Sequence, residues 1–478
     1  VICFGPYYPA LNSETVRYYE GLATAGITTS TLYEHGPYGN IKKFTNNNEV
    51  DNNSDNIIAE ITYDNDINYY QMSRISKVEV KDNYNSVLRK KEFNYTNYQL
   101  TQVIAHDIDN STTATMSFEY DVYGNIVKYT MPANYNSQSS FVNVAYDNIL
   151  HTYPETVENQ FGYLSKTLYD YRFGSPIEIY DMTGNKMEYT YRYDGKPLSI
   201  AGPKDLALGL NSLIFRYWDD NPYLGADPNK YAQTIKLNNN GGADVSSVIF
   251  TDAFGKVIQT KENCTVNDVD LILSSGKIFY DALNRPLKNY LPHTSSAFNN
   301  FLINEWDVPS IYFSNVTYDI LDRTITQTSP DNKTVTLEYD FGVVDGIKAF
   351  KTSMTDPNSK TTVTYVDVMQ KQLMTQQPGG IITKFVYDVL GQLTSSKDPD
   401  NNTTTYNYNT LGQMIQRVHP DAGTTNYNYD MAGNLINMAT QNLINSSSQI
   451  DYIYDYNRLL QISYPDPDDN AYYEYGDQ

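Results

Sequence analysis

A seven-residue unit recurs near the C-terminal end of the chain at a constant spacing of 21 residues. It reads YDVLGQL from Tyr387, YNTLGQM from Tyr408 and YDMAGNL from Tyr429. Any fold of this segment must therefore repeat one local structure at that spacing. Two strands of about seven or eight residues and two short turns fill such a period. No helix is required.

The unit itself predicts a tight turn. An aspartate followed three residues later by glycine suits a type I turn that ends in a left-handed residue, the loop of a bulged hairpin. Looser copies have Asn284 or Asp322 in place of the glycine, and these residue types tolerate a positive φ. The predicted structural turn residues are Asp121, Gly124, Asp181, Gly184, Asp252, Gly255, Asp281, Asp319, Asp388, Gly391, Gly412, Asp430 and Gly433.

The residues between the turns predict strands. Thr404, Tyr406 and Tyr408 alternate with small polar residues, so one face of the strand is aromatic and the other is polar. One hairpin cannot bury its aromatic face alone, so neighbouring hairpins must stack. A sheet this long must also twist and curl. We therefore predict an all-β fold in which hairpins form a long antiparallel sheet that curls into a shell or partial shell.

The regularity of the repeats divides the chain. Residues 1–115 form a divergent β-rich region, and 116–202 hold divergent repeats. Residues 203–310 contain loop-rich insertions with scattered hairpins, and a short helix is predicted within Leu206–Leu213. Residues 311–478 carry the regular repeats, truncated at the C-terminus. Because the chain starts without a methionine or a basic leader, we expect it to be a mature or excised segment of something longer.

Composition excludes several classes of protein. The 34 basic and 56 acidic side chains give a net charge of -22, which repels nucleic acids and anionic membrane surfaces. No apolar run approaches the roughly 18 residues of a membrane helix. The 46 tyrosines favour strands. Cys3 and Cys264 cannot build a disulfide framework.

Catalytic and ligand-binding patterns are weak. The five histidines, at 35, 106, 151, 293 and 419, show no metal-ligand spacing, and the usual nucleophile and phosphate-loop motifs are absent. Asp398–Asn401 and Asp466–Asp469 carry oxygens that Ca²⁺ could use, but solvated turns are the preferred interpretation. Glu305–Asp307 could suggest a sugar site, although a rim loop is favoured. A catalytic acid is needed once in a protein, whereas the aspartate of the seven-residue unit recurs in every repeat. We therefore predict no enzyme, no catalytic or metal residue and no cofactor.

The repeated unit resembles the YD or Rhs repeat. That family includes bacterial polymorphic toxins, the B and C components of insecticidal toxin complexes, and animal teneurins. The resemblance is specific over 311–478, fair over 116–200 and 250–290, and weak before 115. Residues 118–203 also resemble the part of toxin B components that precedes their regular repeats. The resemblance implies a sheet wound into a hollow shell around a C-terminal toxic domain, often released by self-cleavage; no cleavage residues can be carried over to this chain.

The expected function follows from this resemblance. The chain would be a non-enzymatic shell segment of a secreted or surface-delivered bacterial toxin-like protein. It would enclose or present a C-terminal cargo or toxin domain, or bind a partner subunit of a toxin or secretion complex, without nucleic acid and without a membrane-spanning segment. The alternative is a bacterial cell-surface adhesive or structural protein whose stacked tyrosines contact carbohydrate or a partner cell. Packing between strands explains the tyrosines without a ligand.

Overall fold

The computed structural model of the protein describes residues 10–52, 55–217, 230–239, 241–252, 254–295 and 312–476. Within these residues the chain is built almost entirely of strands, so the predicted all-β fold is confirmed. The strands of the first part are β1 (Ser13–Tyr18), β2 (Ile27–His35), β3 (Ile41–Asn47), β4 (Ile57–Tyr63), β5 (Ile75–Lys81), β6 (Val87–Thr96), β7 (Gln99–Asp107), β8 (Thr112–Tyr120), β9 (Ile126–Ala133), β10 (Ser139–Tyr146), β11 (Pro154–Asn159), β12 (Leu164–Asp170), β13 (Ser175–Tyr180), β14 (Lys186–Tyr191), β15 (Pro197–Ala201), β16 (Leu213–Tyr217), β17 (Lys230–Lys236), β18 (Val245–Thr251), β19 (Val257–Val266) and β20 (Val269–Ser275).

The second part of the chain continues in the same way. Its strands are β21 (Ile278–Tyr280), β22 (Pro286–Tyr290), β23 (His293–Ser295), β24 (Phe313–Tyr318), β25 (Thr324–Thr328), β26 (Thr334–Val344), β27 (Ile347–Thr355), β28 (Thr361–Val366), β29 (Gln372–Gln377), β30 (Ile381–Tyr387), β31 (Leu393–Lys397), β32 (Thr403–Tyr408), β33 (Met414–His419), β34 (Gly423–Tyr429), β35 (Leu435–Ala439), β36 (Ile450–Asp455), β37 (Arg458–Ser463) and β38 (Ala471–Tyr472). Within the described residues there are also two short α-helices, α1 (Pro203–Leu206) and α2 (Gln441–Asn445).

The strands form two antiparallel sheets in which nearly every strand pairs with the next one along the chain. As far as the described residues extend, the first sheet has 21 strands (β1–β20 and β23) and the second has 17. The register shifts by one residue at the repeat tyrosine, for example between Asn407 and Tyr408 in the β32–β33 pair and between Asn428 and Tyr429 in the β34–β35 pair. This is the bulge that a type I turn with a left-handed last residue produces.

The loops at the strand ends of the first sheet contact the turns at the strand ends of the second sheet, along a line that we call the seam. Loops that follow odd-numbered strands of the first sheet contact turns of the second sheet that lie much later in the chain. Glu20 binds Arg323, Asp107 binds Thr410 and Asn134 binds Tyr456, at separations of 303, 303 and 322 residues. A nearly constant separation means that the two strips run side by side in the same direction, as successive turns of a wound ribbon do.

The size of one turn follows from the strand count. The loop at Asp107 follows β7 and the turn at Thr410 follows β32, so 25 of the described strands (β8 to β32) lie between them. At about 4.8 Å per strand the contour is about 120 Å, which corresponds to a ring about 38 Å across. Packed sheets lie only about 10 Å apart. A circular ring of this contour would be wider than that spacing.

The surface area agrees with an open architecture. The protein exposes 28578 Å² of solvent-accessible surface for a mass of 54.5 kDa. A compact protein of that mass exposes about 18000 Å². Few apolar side chains in the described part of the chain are buried, so stability must depend on strand pairing and on contacts distributed along the whole sheet. The buried apolar residues are Ile27, Ala201, Val248, Phe250, Ile272, Val316, Val344, Ala349 and Leu373.

The helices differ from the sequence prediction. The helix expected within Leu206–Leu213 is wrong in position, since α1 spans Pro203–Leu206. Pro203 suits the first helical turn. The chain leaves the helix before Gly209, whose φ is +69°. Helix α2 was not predicted. It occupies part of the longer interval between the repeats that start at Tyr429 and Tyr454.

Candidate functional site

The repeat turns share one hydrogen-bonding pattern. Oδ1 of Asp388 accepts from the backbone N–H groups of Leu390 and Gln392 at 2.9 and 2.8 Å, and the N–H of Gly391 donates to the Asp388 carbonyl at 2.9 Å. Gly391 has a φ of +77°. The aspartate side chain thus supplies the acceptor that closes the turn, and the glycine provides the left-handed conformation that other residues adopt at a cost.

The same arrangement surrounds the other predicted turn residues. Backbone N–H groups two and four residues ahead donate to Oδ1 of Asp121, Asp181, Asp252, Asp281 and Asp319, and the group four ahead donates to Asp430. Positive φ values occur at Gly124, Gly184, Gly255, Gly391, Gly412 and Gly433, and also at Asn284, Asp322 and Gln370, which replace glycine.

The pKa values of four of these carboxylates, those of Asp121, Asp181, Asp281 and Asp319, lie below the ordinary value for aspartate. Hydrogen bonds from the side chains of Thr183 and Asn185 lower the pKa of Asp181 to about 2. Such a group keeps its charge at any physiological pH and cannot transfer a proton near neutrality. The geometry therefore suits turn formation and does not suit acid–base catalysis.

The repeat tyrosines form a second regular set of contacts. The hydroxyl of Tyr408 donates to the carbonyl of Leu393, and the hydroxyl of Tyr318 donates to the carbonyl of Pro286. Each acceptor is the first residue after the turn of the preceding hairpin. Further tyrosine hydroxyls donate to the carbonyl of the first or second residue after such a turn, in the pairs Tyr63–Ile41, Tyr95–Ile75, Tyr120–Leu100, Tyr146–Ile126, Tyr169–Pro154, Tyr191–Pro176, Tyr217–Pro197, Tyr339–Thr324 and Tyr475–Leu459.

These hydroxyl–carbonyl pairs join each hairpin to the one before it. Sequence reasoning assigned the tyrosines to packing but missed the hydroxyl contact. The constant position of tyrosine relative to the preceding turn is the signal that could have revealed it. The hydroxyl groups of these tyrosines already bind backbone carbonyls and so join neighbouring hairpins. No specific contact in this set supports the glycan-binding interpretation.

The seam is held by polar contacts along its length. At one end, Arg323 forms two hydrogen bonds with Glu20, at 2.6 and 2.8 Å, and a third with Asp319 at 2.8 Å. Further along, Arg89 donates to the side chain of Gln392 at 2.8 Å. Nearer the C-terminus, Arg458 lies over the Phe161 ring, 3.3 Å from its centre. No sequence pattern predicted the contacts between the two sheets, because their partners lie far apart in the chain.

One cavity in the seam gathers buried carboxyl groups. It has a volume of about 120 Å³ and is lined by Glu49, Asp55, Lys348 and Asp367 among others. Oδ1 of Asp55 is buried and has no hydrogen-bond partner within the described chain. Burial, together with the negative charge of Glu49, raises the pKa of Asp55 to about 6. Burial also raises the pKa of Asp367.

We expect Asp55→Asn to change the pH dependence of stability. The folded protein retains a proton on Asp55 that the unfolded chain loses near pH 4, so the free energy of unfolding falls as pH rises from about 4 to 6. The asparagine variant should lack this fall and gain about 1 kcal/mol at pH 7, allowing for solvent screening. Hydrogen exchange between about pH 4 and pH 8 measures it. Asp400→Asn, in an exposed turn, is the control; equal profiles for Asp55→Asn and the unaltered protein would contradict the prediction.

The other sequence candidates do not come together as a site. In the ranges that the structure describes, no three His, Cys, Asp or Glu side chains are grouped to hold a metal ion. Asp398 accepts from the N–H of Asn402, and Asp466 accepts from the N–H of Asp468, so both calcium candidates are self-contained turns. Glu305–Asp307 lies outside the described residues. No described helix is long and apolar enough to cross a membrane.

Part of the repeat region also matches a known protein family. Residues 387–425, which contain two of the regular units, match the family model for the RHS repeat. This segment carries the RHS repeat. The prediction of an Rhs or YD-repeat chain is thereby confirmed. No curated protein sequence matches the chain.

The fold of the whole chain also has similar solved structures. The crystal structure of TcdB2-TccC3 is 12% identical, with a TM-score of 0.73 over 96% of this chain and 32% of that one. The same pair without its hypervariable C-terminal region gives 11% identity and a TM-score of 0.71 over 96% and 34%. The Tc holotoxin pore of Photorhabdus luminescens gives 11% identity and a TM-score of 0.69 over 95% and 33%. These values show a shared fold, and this chain spans about a third of each relative's length.

Proposed function

We propose that the chain is a wall segment of a toxin-complex shell, which encloses a polypeptide cargo and performs no catalysis itself. The observation that carries this proposal is the seam, where the ribbon meets its own edge after 25 strands. Such a ribbon surrounds a space about 38 Å across. The fold shared with the TcdB2-TccC3 structures supports the proposal. The cargo would be a C-terminal toxic domain or a partner subunit, and the protein would act after secretion or at the bacterial surface.

The wall would act by steric exclusion. Its strands alternate small polar residues with tyrosines whose hydroxyl groups bind neighbouring carbonyls, so the sheet is continuous and uses its own polar groups internally. With a net charge of -22 it would also repel other acidic proteins. Both properties isolate a cargo without binding it tightly.

A protease-protection experiment tests the enclosure. An unstructured reporter peptide with protease sites is fused to the C-terminus of the full chain, and the same reporter is fused to the N-terminus as the matched control. We expect the C-terminal reporter to be cleaved about tenfold more slowly, because cleavage requires access to the open chain. Equal half-lives for the two fusions would contradict enclosure.

We also propose that the repeat aspartates act as turn formers. Asp388→Ala removes the acceptor for two backbone N–H groups, and we expect a loss of about 1–2 kcal/mol in local stability. Asp388→Asn should retain most of it, since Asn409 occupies the equivalent position in the next repeat and accepts from Leu411 and Gln413. Exchange of the Gln392 amide measures the effect. An asparagine variant as damaged as the alanine variant would disprove the turn role.

A further inference from the structure

The seam cavity at Asp55 lies between two distant parts of the chain. Glu49 and Asp55 belong to the loop between β3 and β4, whereas Lys348 lies at the start of β27 and Asp367 begins the turn after β28. The backbone N–H of Lys348 donates to Oε2 of Glu49 at 3.3 Å, across a separation of 299 residues. The cavity therefore exists only while Glu49 and Asp55 lie against the second sheet.

Acidic side chains outnumber basic ones around this contact. Lys348 is shared, because its Nζ lies 3.6 Å from Oε1 of Glu49 and also donates to Asp51. Lys384 is engaged by Asp345 at 2.6 Å. In the described part of the chain, the charged and titratable side chains that line or border the cavity are Glu49, Asp51, Asp55, Asp345, Lys348, Asp367, Lys371, Lys384, Tyr387 and Asp388.

Two buried oxygens on the loop side of the contact have no donor. They are Oδ1 of Asp55 and Oδ1 of Asn56, neither of which has a hydrogen-bond partner among the described residues, and Asn56 is only 6% exposed. A buried carboxylate oxygen without a donor is costly, and the cost is much smaller when the carboxyl group is neutral. The closed seam thus suits a protonated Asp55, and ionisation favours an arrangement in which Asp55 reaches water.

We propose that Asp55 and Asp367 form a proton-operated latch, which holds the loop side of the cavity against the second sheet in acid and releases it near neutral pH. Release would open the seam only at this cavity. Further along the seam the contacts differ, since a hydroxyl group of Thr410 donates to Asp107 and the amide of Asn134 donates to a backbone carbonyl. If the wall encloses a cargo, the latch would tighten the enclosure in acid; this consequence alone rests on the proposed function.

The direction of the pH effect follows from Asp55. Burial, and after it the negative charges of Glu49 and Asp367, raise the pKa of Asp55 to about 6 in the closed seam, whereas a hydrated aspartate has a pKa of about 4. The stabilisation by the proton is therefore complete below about pH 4 and is lost as the pH rises to about 6. Two pKa units limit the change in the opening equilibrium to about 100-fold. Because Asp55 is only half-buried, we expect about tenfold.

Hydrogen exchange of the full chain from about pH 4 to about pH 7 tests the latch, after correction for the intrinsic pH dependence of amide exchange. The reporters are the amide of Val50, which donates to the Thr28 carbonyl, and the amide of Lys348, which donates to Glu49. We expect their opening constants to rise about tenfold over this range. The amides of Ile108 and Tyr456 donate to side chains elsewhere along the seam, and their opening constants should stay nearly unchanged.

Asp55→Asn should abolish the rise, because asparagine is neutral throughout this range and has nearly the shape of a protonated aspartate. Asp51→Asn is the matched control, since Asp51 lies in the same loop but its side chain is 70% exposed; the rise should remain. If Asp55→Asn does not fold, Asp367→Asn serves instead. It should keep its turn, as Asn409 does in a later repeat, and make the rise smaller, because the charge of Asp367 favours the proton on Asp55.

An opening constant at Lys348 that does not depend on pH would overturn the latch. So would a rise that persists in Asp55→Asn, that disappears equally in Asp51→Asn, or that the amides of Ile108 and Tyr456 share. None of these results bears on whether the wall encloses a cargo, which the protease experiment tests separately.

Discussion

Replacing Arg323 by alanine should open one end of the seam. Arg323 neutralises Glu20 through two hydrogen bonds of 2.6 and 2.8 Å, and its guanidinium lies 4.1 Å from the centre of the Tyr339 ring. The Glu20 side chain is only 8% exposed, so its charge would remain buried without a partner. Removing one member of a buried pair costs about 3–5 kcal/mol. Since Arg323 is itself partly exposed, we expect about 2–3 kcal/mol.

Hydrogen exchange of the loop between β1 and β2 measures this loss, because that loop carries Glu20. Lys333→Ala is the matched control. Lys333 also pairs with a carboxylate, Asp331, but both side chains are mostly exposed and the pair lies far from the seam. Exposed pairs contribute about 0–1 kcal/mol, so little change is expected there. Similar losses in the two variants would mean that Arg323 does not hold the seam.

Replacing Gly26 by alanine should disturb the same end of the seam through packing. A Cβ atom at this position would lie 2.2 and 2.3 Å from two ring carbons of Phe341, well inside van der Waals contact. Phe341 cannot move freely, because its ring packs against Phe350, which in turn contacts Tyr18. Overpacking of this kind costs about 1–3 kcal/mol. The loss should appear as faster hydrogen exchange in β2 and β26.

Gly36→Ala separates packing from backbone effects. Neither Gly26 nor Gly36 has a left-handed φ, and a Cβ at Gly36 would meet its nearest atom, the Asn40 carbonyl oxygen, at an ordinary 3.7 Å. We therefore expect Gly36→Ala to leave exchange rates nearly unchanged. If the two alanine variants behave alike, the close approach between Gly26 and Phe341 does not limit the stability of the seam.

The repeat was sufficient to predict much of the local structure. Its constant spacing indicated two strands and two turns in each period, and the all-β fold that follows from it is confirmed. The replacement of glycine by Asn284 and Asp322 pointed to a positive φ, which both residues have. These features depend on residues a few positions apart. Helix α2 was missed because only the length of one interval, and no capping pattern, marked it.

The domain boundaries at 115, 202 and 310 and the role of the aspartates in function stay predictions.

The candidate site was largely invisible to sequence reasoning. The cavity at Asp55 and Asp367 forms only where a loop of the first sheet meets a turn of the second, so neither residue carried a signal of its own. The tyrosine hydroxyl contacts repeat regularly, but identifying the acceptor requires knowing which carbonyl lies across the sheet.

By itself, the sequence determined the module: the spacing of the turns, the strands between them, and the aromatic faces of those strands. Backbone sterics and hydrogen bonds within a few residues decide these features, and each repeat states them again. The tertiary structure alone decided that the ribbon winds so that Glu20 meets Arg323 and Asn134 meets Tyr456. Those pairs depend on the twist that accumulates over many successive strands, and no local pattern of residues predicts the total twist.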